Sequence, residues 1–119
     1  MKTIYPVLPA RKVEEALRWY VERLGFTFAF GDVAGGYVGV RRDQIELHLQ
    51  FQFEADFQAG KAGQANLRIE VDDPDALFDE LKDKGVFHDK TQLRDTSWGT
   101  REFSFWDPDG NALTFQRDL

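Results

Sequence analysis

Apolar positions recur along this chain in two rhythms. Val13, Ala16, Leu17, Tyr20, Val21 and Leu24 fall at helical spacing, which predicts a helix over residues 13–24 with one buried face. Gly25 follows, the residue type that ends helices in the left-handed conformation. Leu77, Phe78 and Leu81 make a second helical face. Asp73 stands before it as N-cap and Pro74 at the first helical position, with Lys82 and Lys84 in the last turn and Gly85 as the stop. The other rhythm has period two. Residues 4–8 form a short β-like run, and residues 26–30 read as a strand with Phe26, Phe28 and Phe30 on one side. Residues 37–40 and 44–51 are further strands; in the latter, Ile45, Leu47 and Leu49 alternate with Glu46, His48 and Gln50. Residues 52–64 have no clean period and read as a loop or linker. Alternation resumes at Leu67, Ile69 and Val71. Val86 and Phe87 start another strand. Residues 101–106 and 112–116 form a hairpin around Asp107-Pro108-Asp109-Gly110-Asn111, a strong turn sequence.

The two halves align at a shift of 60, which lays Ala16, Leu17, Val21 and Gly25 on Ala76, Leu77, Leu81 and Gly85. An internal repeat of one supersecondary unit implies that neither copy buries its core alone. The expectation is an α+β fold: one domain over residues 1–119, built from two paired βαβββ modules at about 1–55 and 65–119. Curled mixed sheets would surround a cleft, with the helices on the outer face. Ile45, Leu47, Leu49, Leu67, Ile69, Val71, Phe103, Phe105, Leu113 and Phe115 then belong under the helices. Period two sends Glu46, His48, Gln50, Asn66, Arg68, Glu70, Glu102, Ser104, Trp106, Thr114 and Gln116 to the opposite face. Such a face either meets water or lines the cleft. A cleft rich in carboxylates and holding a Trp suits a cationic, partly flat ligand.

Composition narrows the choices. At 119 residues, 42% apolar and 30% charged, the chain has the size and make-up of one globular domain. Its 11 Phe, 3 Trp and 3 Tyr exceed what a small core needs, so some rings line a pocket or interface. With no cysteine, disulfides and thiolate metal sites are excluded and the cytoplasm is the expected location. No stretch has the pattern of a signal peptide or membrane helix. The formal charge of −6 argues against nucleic acid and anionic membranes; it either serves solubility or favours a cationic partner.

Pro6-Val7-Leu8, Trp19-Tyr20, Leu24-Gly25-Phe26 and Ile45-Glu46-Leu47-His48-Leu49 resemble the glyoxalase fold. Trp98-Gly99-Thr100-Arg101-Glu102-Phe103, followed by Asp107-Pro108-Asp109-Gly110-Asn111, resembles the bleomycin-resistance branch of the glyoxalase/bleomycin resistance/dioxygenase (vicinal oxygen chelate) superfamily. In that superfamily's metal enzymes, four inward side chains bind the ion. Carried over by local motif spacing, the four positions are Tyr5, Glu46, Asn66 and Thr114, of which only Glu46 is an ordinary ligand. The usual metal site is therefore expected to be absent, with no other cofactor. Glu46 and His48 share a face and could touch one ion, or could form a hydrogen-bonded pair. His88 reads as a surface loop residue. No nucleophile stands with a base at motif spacing, and no phosphate loop or dinucleotide signature is present.

The resemblance thus implies a non-enzymatic binding protein. It would be a homodimer that sequesters a cationic, partly aromatic small molecule, with a bleomycin-type antibiotic as first candidate and antibiotic resistance as the outcome. Trp98 stands in the branch's Trp-Gly motif, where the ring lies against ligand; the alternative is a ring packed under its own Gly99 turn. Phe30, Asp32 and Tyr37 match an acidic and aromatic stretch after the first helix, with core packing as the alternative for the two rings. The candidate ligand-binding set is completed by Glu46, His48, Asn66, Arg68, Glu102 and Trp106. Two other readings stay open: a metal-dependent lyase or dioxygenase with a non-standard site, and a scaffold domain without a small ligand.

Overall fold

The computed structural model describes residues 1–119. The chain partitions into two compact units, Met1–Ala65 and Asn66–Leu119. Each carries a four-stranded mixed sheet. In the first, β1 (Val7–Ala10), β2 (Thr27–Asp32), β3 (Tyr37–Arg42) and β4 (Ile45–Phe51) lie in the order β1-β4-β3-β2. In the second, β5 (Asn66–Glu70), β6 (Arg94–Asp95), β7 (Thr100–Trp106) and β8 (Ala112–Asp118) lie in the order β5-β8-β7-β6. First and last strands pair in parallel in both, and the other ladders are antiparallel. The repeat anticipated at a shift of 60 is thus a repeat of topology.

Helix α1 (Val13–Leu24) buries Val13, Ala16, Tyr20 and Leu24 of the face its spacing marks, while Leu17 is half-buried and Val21 is exposed. Gly25 closes it at φ 72°, a conformation that costs glycine no Cβ clash, and its N–H donates to Tyr20 O. In the second unit α3 (Pro74–Leu81) starts as expected: Asp73 accepts from the Ala76 N–H at 3.0 Å, with Pro74 at the first position. It stops at Leu81, so Lys82 and Lys84 lie beyond its last turn. Leu8, Ala10, Val38, Val40, Leu47 and Leu49 form the core of unit 1. In unit 2, Ile69, Leu81, Phe103, Phe105, Leu113 and Phe115 do the same, so the predicted inward faces hold. Pro9 sits within β1, which tolerates it because β1 is an edge strand.

Four expectations are corrected. The first strand is Val7–Ala10 and not residues 4–8. The segment 52–64 is not all loop: Glu54–Gln58 is a short helix, α2, whose Phe57 is buried. Arg11 pins it, with its guanidinium 3.8 Å above the Phe57 ring and its Nε 2.6 Å from Glu54. Val86 and Phe87 are not a strand. Phe87 packs its ring against Phe78, Phe103 and Phe105, and the edge strand is β6. Finally, Phe28 and Phe30 do not share a side. Phe28 pairs with Val40 and Phe30 with Gly39, which leaves Ala29 as an extra residue in the ladder. Directly paired residues share a face, so this β-bulge turns Phe28 toward the α1 side with Val40 and Phe30 to the opposite, open face.

Candidate ligand-binding site

On the open face of unit 1, β4 presents Glu46, His48 and Gln50. Register brings Arg41 opposite Glu46, Gly39 opposite His48 and Tyr37 opposite Gln50. Val7 of β1 lies beside His48, and Tyr5, two residues earlier, has the same parity. His48 is the centre of this group. Its Nε2 lies 2.8 Å from Glu46 Oε2 and its Nδ1 2.7 Å from the Tyr37 hydroxyl. An ionised Glu46 can only accept, so His48 Nε2–H donates to it, and the Tyr37 hydroxyl, able to donate or accept, pairs with Nδ1. Tyr5 stacks on the imidazole at 5.1 Å and 10°, and Phe30 meets it edge-on at 5.0 Å. Arg41 donates to Glu46 Oε1 at 2.6 and 3.2 Å. The hydrogen bonds from His48 and Arg41 hold the Glu46 carboxyl below its ordinary range. Asp32 acts locally, where its Oδ1 accepts from the Ala34 N–H at 3.1 Å and shapes the turn before β3.

On the open face of unit 2, the parity of β7 carries Thr100, Glu102, Ser104 and Trp106. Partners from β8 are Gln116 beside Glu102, Thr114 beside Ser104 and Ala112 beside Trp106. From β5, Asn66, Arg68 and Glu70 join the same face. Glu102 is 4% exposed. Its Oε1 accepts three hydrogen bonds: from Thr100 Oγ1 at 2.6 Å, Arg68 at 2.9 Å and Trp98 Nε1 at 3.3 Å. Burial pushes this carboxyl up; the bonds from Thr100, Arg68 and Trp98 outweigh it and hold the group below its ordinary value. Arg68 also donates to Gln116 Oε1.

Trp98 is 58% exposed and Trp106 57%. Trp98 is therefore not packed under the Gly99 turn. The turn is held instead by Thr96 and Thr100, whose hydroxyls lie 2.8 Å apart, and the Arg94 guanidinium sits 5.6 Å from the Trp98 ring centre. Trp106 stacks on His88 at 4.5 Å, so His88 is a half-buried partner of an aromatic ring and not a free surface residue. Between these features His88, Lys90, Arg94, Glu102 and Ser104 contribute to a shallow groove of about 270 Å³. Asn66 and Glu70 are exposed at the two ends of β5, and Ser104 bonds Thr114 at 3.0 Å.

The faces are those the alternation predicted, but their electrostatics differ. Glu46 and Glu102 are neutralised locally by Arg41 and Arg68. Neither is an open carboxylate waiting for a cation. The residues that sequence reasoning missed are the partners: Tyr5 as a stacking ring, Arg41, Thr100, His88 and Arg94. For Thr100 a signal existed, since it stands two residues before Glu102 and shares its face; the His88–Trp106 stack has no local signature.

A divalent ion does not fit the positions at which the metal enzymes hold theirs. Of Tyr5, Glu46, Asn66 and Thr114, only Glu46 is a good donor, and both its oxygens are engaged by Arg41 and His48. Thr114 is buried against Ser104. No group of three or more His, Asp or Glu side chains is placed to hold a metal. The Asp107–Asn111 motif is likewise structural: Asp107 Oδ1 accepts from the Asp109 and Asn111 N–H groups at 2.8 and 3.0 Å, and its Oδ2 from Asn111 Nδ2.

Comparison with known proteins gives a consistent result. A family model described as the glyoxalase/bleomycin resistance protein/dioxygenase superfamily matches residues 4–115. Bleomycin resistance proteins from Geobacillus stearothermophilus and Staphylococcus aureus are 28% identical over 127 residues, covering 96% of this chain and 95% of theirs. The bleomycin-binding protein of bleomycin-producing Streptomyces verticillus, solved with copper(II)-bleomycin, is 34% identical. It superimposes with a TM-score of 0.77 over 97% of this chain and 96% of that chain. The bleomycin resistance determinant of transposon Tn5 has the same fold, with a TM-score of 0.83 at 22% identity over 99% and 98% of the two chains.

Proposed function

Since the chain belongs to the glyoxalase/bleomycin resistance protein/dioxygenase superfamily, we propose that it is a member of the drug-binding branch, which captures a bleomycin-type antibiotic reversibly and without chemistry. One observation carries the reading: similarity to bleomycin resistance and bleomycin-binding proteins spans nearly the entire length of both partners, reaching 34% identity. The open faces support it. Trp98 and Trp106 expose most of their rings while polar or aromatic partners hold them in place, an arrangement suited to stacking on the flat bithiazole of the drug. The donor sets offer nothing for the family's metal chemistry.

The ligand's positive charge is met in a particular way. Glu46 and Glu102 are paired internally, so attraction comes from the field of the whole chain at a formal charge of −6. Phe30 and Tyr37 are the unit 1 rings assigned to the ligand, with Glu46 and His48 holding Tyr37 in orientation. The protein acts as a homodimer in the cytoplasm on this reading; exposed Val7, Phe28, Phe51 and Phe53 supply apolar surface for self-association. No helix is long and apolar enough to cross a membrane.

Titration calorimetry with metal-free and copper(II)-loaded bleomycin tests the function. Saturable binding with quenching of Trp fluorescence is expected. Absence of heat and of any fluorescence change at high micromolar drug would remove bleomycin as the ligand. Sedimentation velocity tests the assembly: a clean monomer at micromolar concentration rejects the dimer.

A further inference from the structure

Glu102 has the wrong surroundings for a residue that touches a cationic ligand. It is 4% exposed, and one of its oxygens already accepts from Thr100, Arg68 and Trp98. Three donors converge on Oε1, and the charge of the carboxylate is offset by Arg68 at 2.9 Å. What it does hold is the indole N–H of a ring that is otherwise 58% exposed. A tryptophan on a turn, with most of its surface in water, samples several rotamers unless something fixes it. The bond from Nε1 to Glu102 removes that freedom, and Thr100, four residues from Thr96 across the same turn, ties the carboxylate to the turn itself.

We propose that Glu102 is a positioning residue: it presents the Trp98 indole face for stacking, and Thr100 and Arg68 hold its carboxylate in the orientation this requires. The role rests on the drug-binding reading for its benefit, but the preordering itself exists without any ligand. A ring already fixed in its binding orientation loses less freedom on capture, so affinity is gained through preorganisation. Glu102 acts through Trp98 and not through charge.

The experiment has two independent arms. In ligand-free protein, the Trp98 indole resonance is identified in ¹H–¹⁵N spectra from its loss in Trp98→Phe. Glu102→Gln preserves shape and an acceptor oxygen, and Glu102→Ala removes both. The Trp98 indole N–H should be ordered in the wild type, partly mobile in Glu102→Gln and fully mobile in Glu102→Ala, while the backbone amides of Phe103 and Leu113, in the core of unit 2, serve as the reference for intact folding. An equally mobile Trp98 indole in wild type and Glu102→Ala would overturn the proposal, whether or not bleomycin binds. Thr100→Val removes one support of the carboxylate and gives a milder version of the same effect if Glu102→Ala does not fold.

The second arm is a double-mutant cycle read by bleomycin calorimetry. Glu102→Ala should weaken binding roughly threefold to tenfold in the wild-type background and have no further effect in Trp98→Ala. The salt dependence of affinity should be unchanged by Glu102→Gln. Additive losses, or a flatter salt dependence in Glu102→Gln, would show direct contact between Glu102 and the drug and defeat the positioning role. If wild-type protein fails to bind bleomycin, the drug-binding reading falls while the first arm still decides the inference.

Discussion

Phe30 lies directly over Gly39: a methyl group placed on Gly39 would meet Phe30 Cε1 at 2.1 Å. Gly39 pairs with Phe30 on one side and with His48 on the other. Its missing side chain is the space that lets Phe30 reach the imidazole edge-on at 5.0 Å. Gly39→Ala should therefore expel Phe30 and cost about 1–3 kcal/mol of stability, read from the urea midpoint at an unchanged slope. In a Phe30→Ala background the same substitution should be close to neutral. An equal cost in both backgrounds would show that the ring is not the obstacle.

Trp98→Ala should weaken bleomycin binding about tenfold or more while changing the unfolding free energy from urea titration by no more than roughly 0.5 kcal/mol, since an exposed ring contributes little to the core. Trp106→Ala should weaken binding too, and it should release the His88 ring that stacks on it at 4.5 Å. Calorimetry and the His88 ring chemical shifts check both halves of this expectation.

Affinity should fall as salt is added, because attraction comes from the field of exposed charge, which is screened over about 8 Å at physiological ionic strength. Glu46→Gln should change that dependence little, since Arg41 already offsets the charge. Binding measured over a salt series in wild type and Glu46→Gln would expose an error here: a much flatter slope in the variant means Glu46 contributes directly.

Acid should destabilise the fold through particular carboxylates. The His48 and Arg41 bonds depress Glu46, and the Arg101 bond depresses Asp75. Glu102 is also depressed, its bonds prevailing over burial. A depressed carboxylate contributes stability that is complete above its unfolded value and is lost as pH falls through its folded one. Stability should hold above about pH 4.5 and decline below it. Glu102→Gln should start less stable at pH 7 and lose less between there and pH 3, as followed by thermal unfolding across that range.

Much of this was legible in the chain. Helices α1 and α3 announced themselves through spacing, Asp73, Pro74 and the closing Gly25, all of which act within a few residues of where they stand; Gly85 lies four residues past the end of α3 and does not close it. The parity of β4, β5, β7 and β8 assigned each side chain to its face. Parity does not name partners, however. That Glu46 meets Arg41, or that Trp106 meets His88, depends on strand register and on a loop folding back, neither of which leaves a local trace. The run Phe26–Phe30 was misleading for a related reason. Its alternation is unbroken along the chain, yet the ladder skips Ala29, and only a pairing partner can reveal a skipped residue.

That skip also bears on how the gene can change length. An inserted or deleted codon in a strand ordinarily reverses every side chain beyond it. Here Phe28 and Phe30 already pair with the consecutive positions Val40 and Gly39, so the ladder runs as though residue 29 were not counted. Deleting Ala29 should leave the remainder of β2 in frame, with Phe30 still facing Gly39 and Asp32 still opposite Tyr37. A deletion at Thr27 would have no such slack to absorb it. The bulge is thus the point in this strand where evolution could remove one residue and keep the side chains of the open face in place.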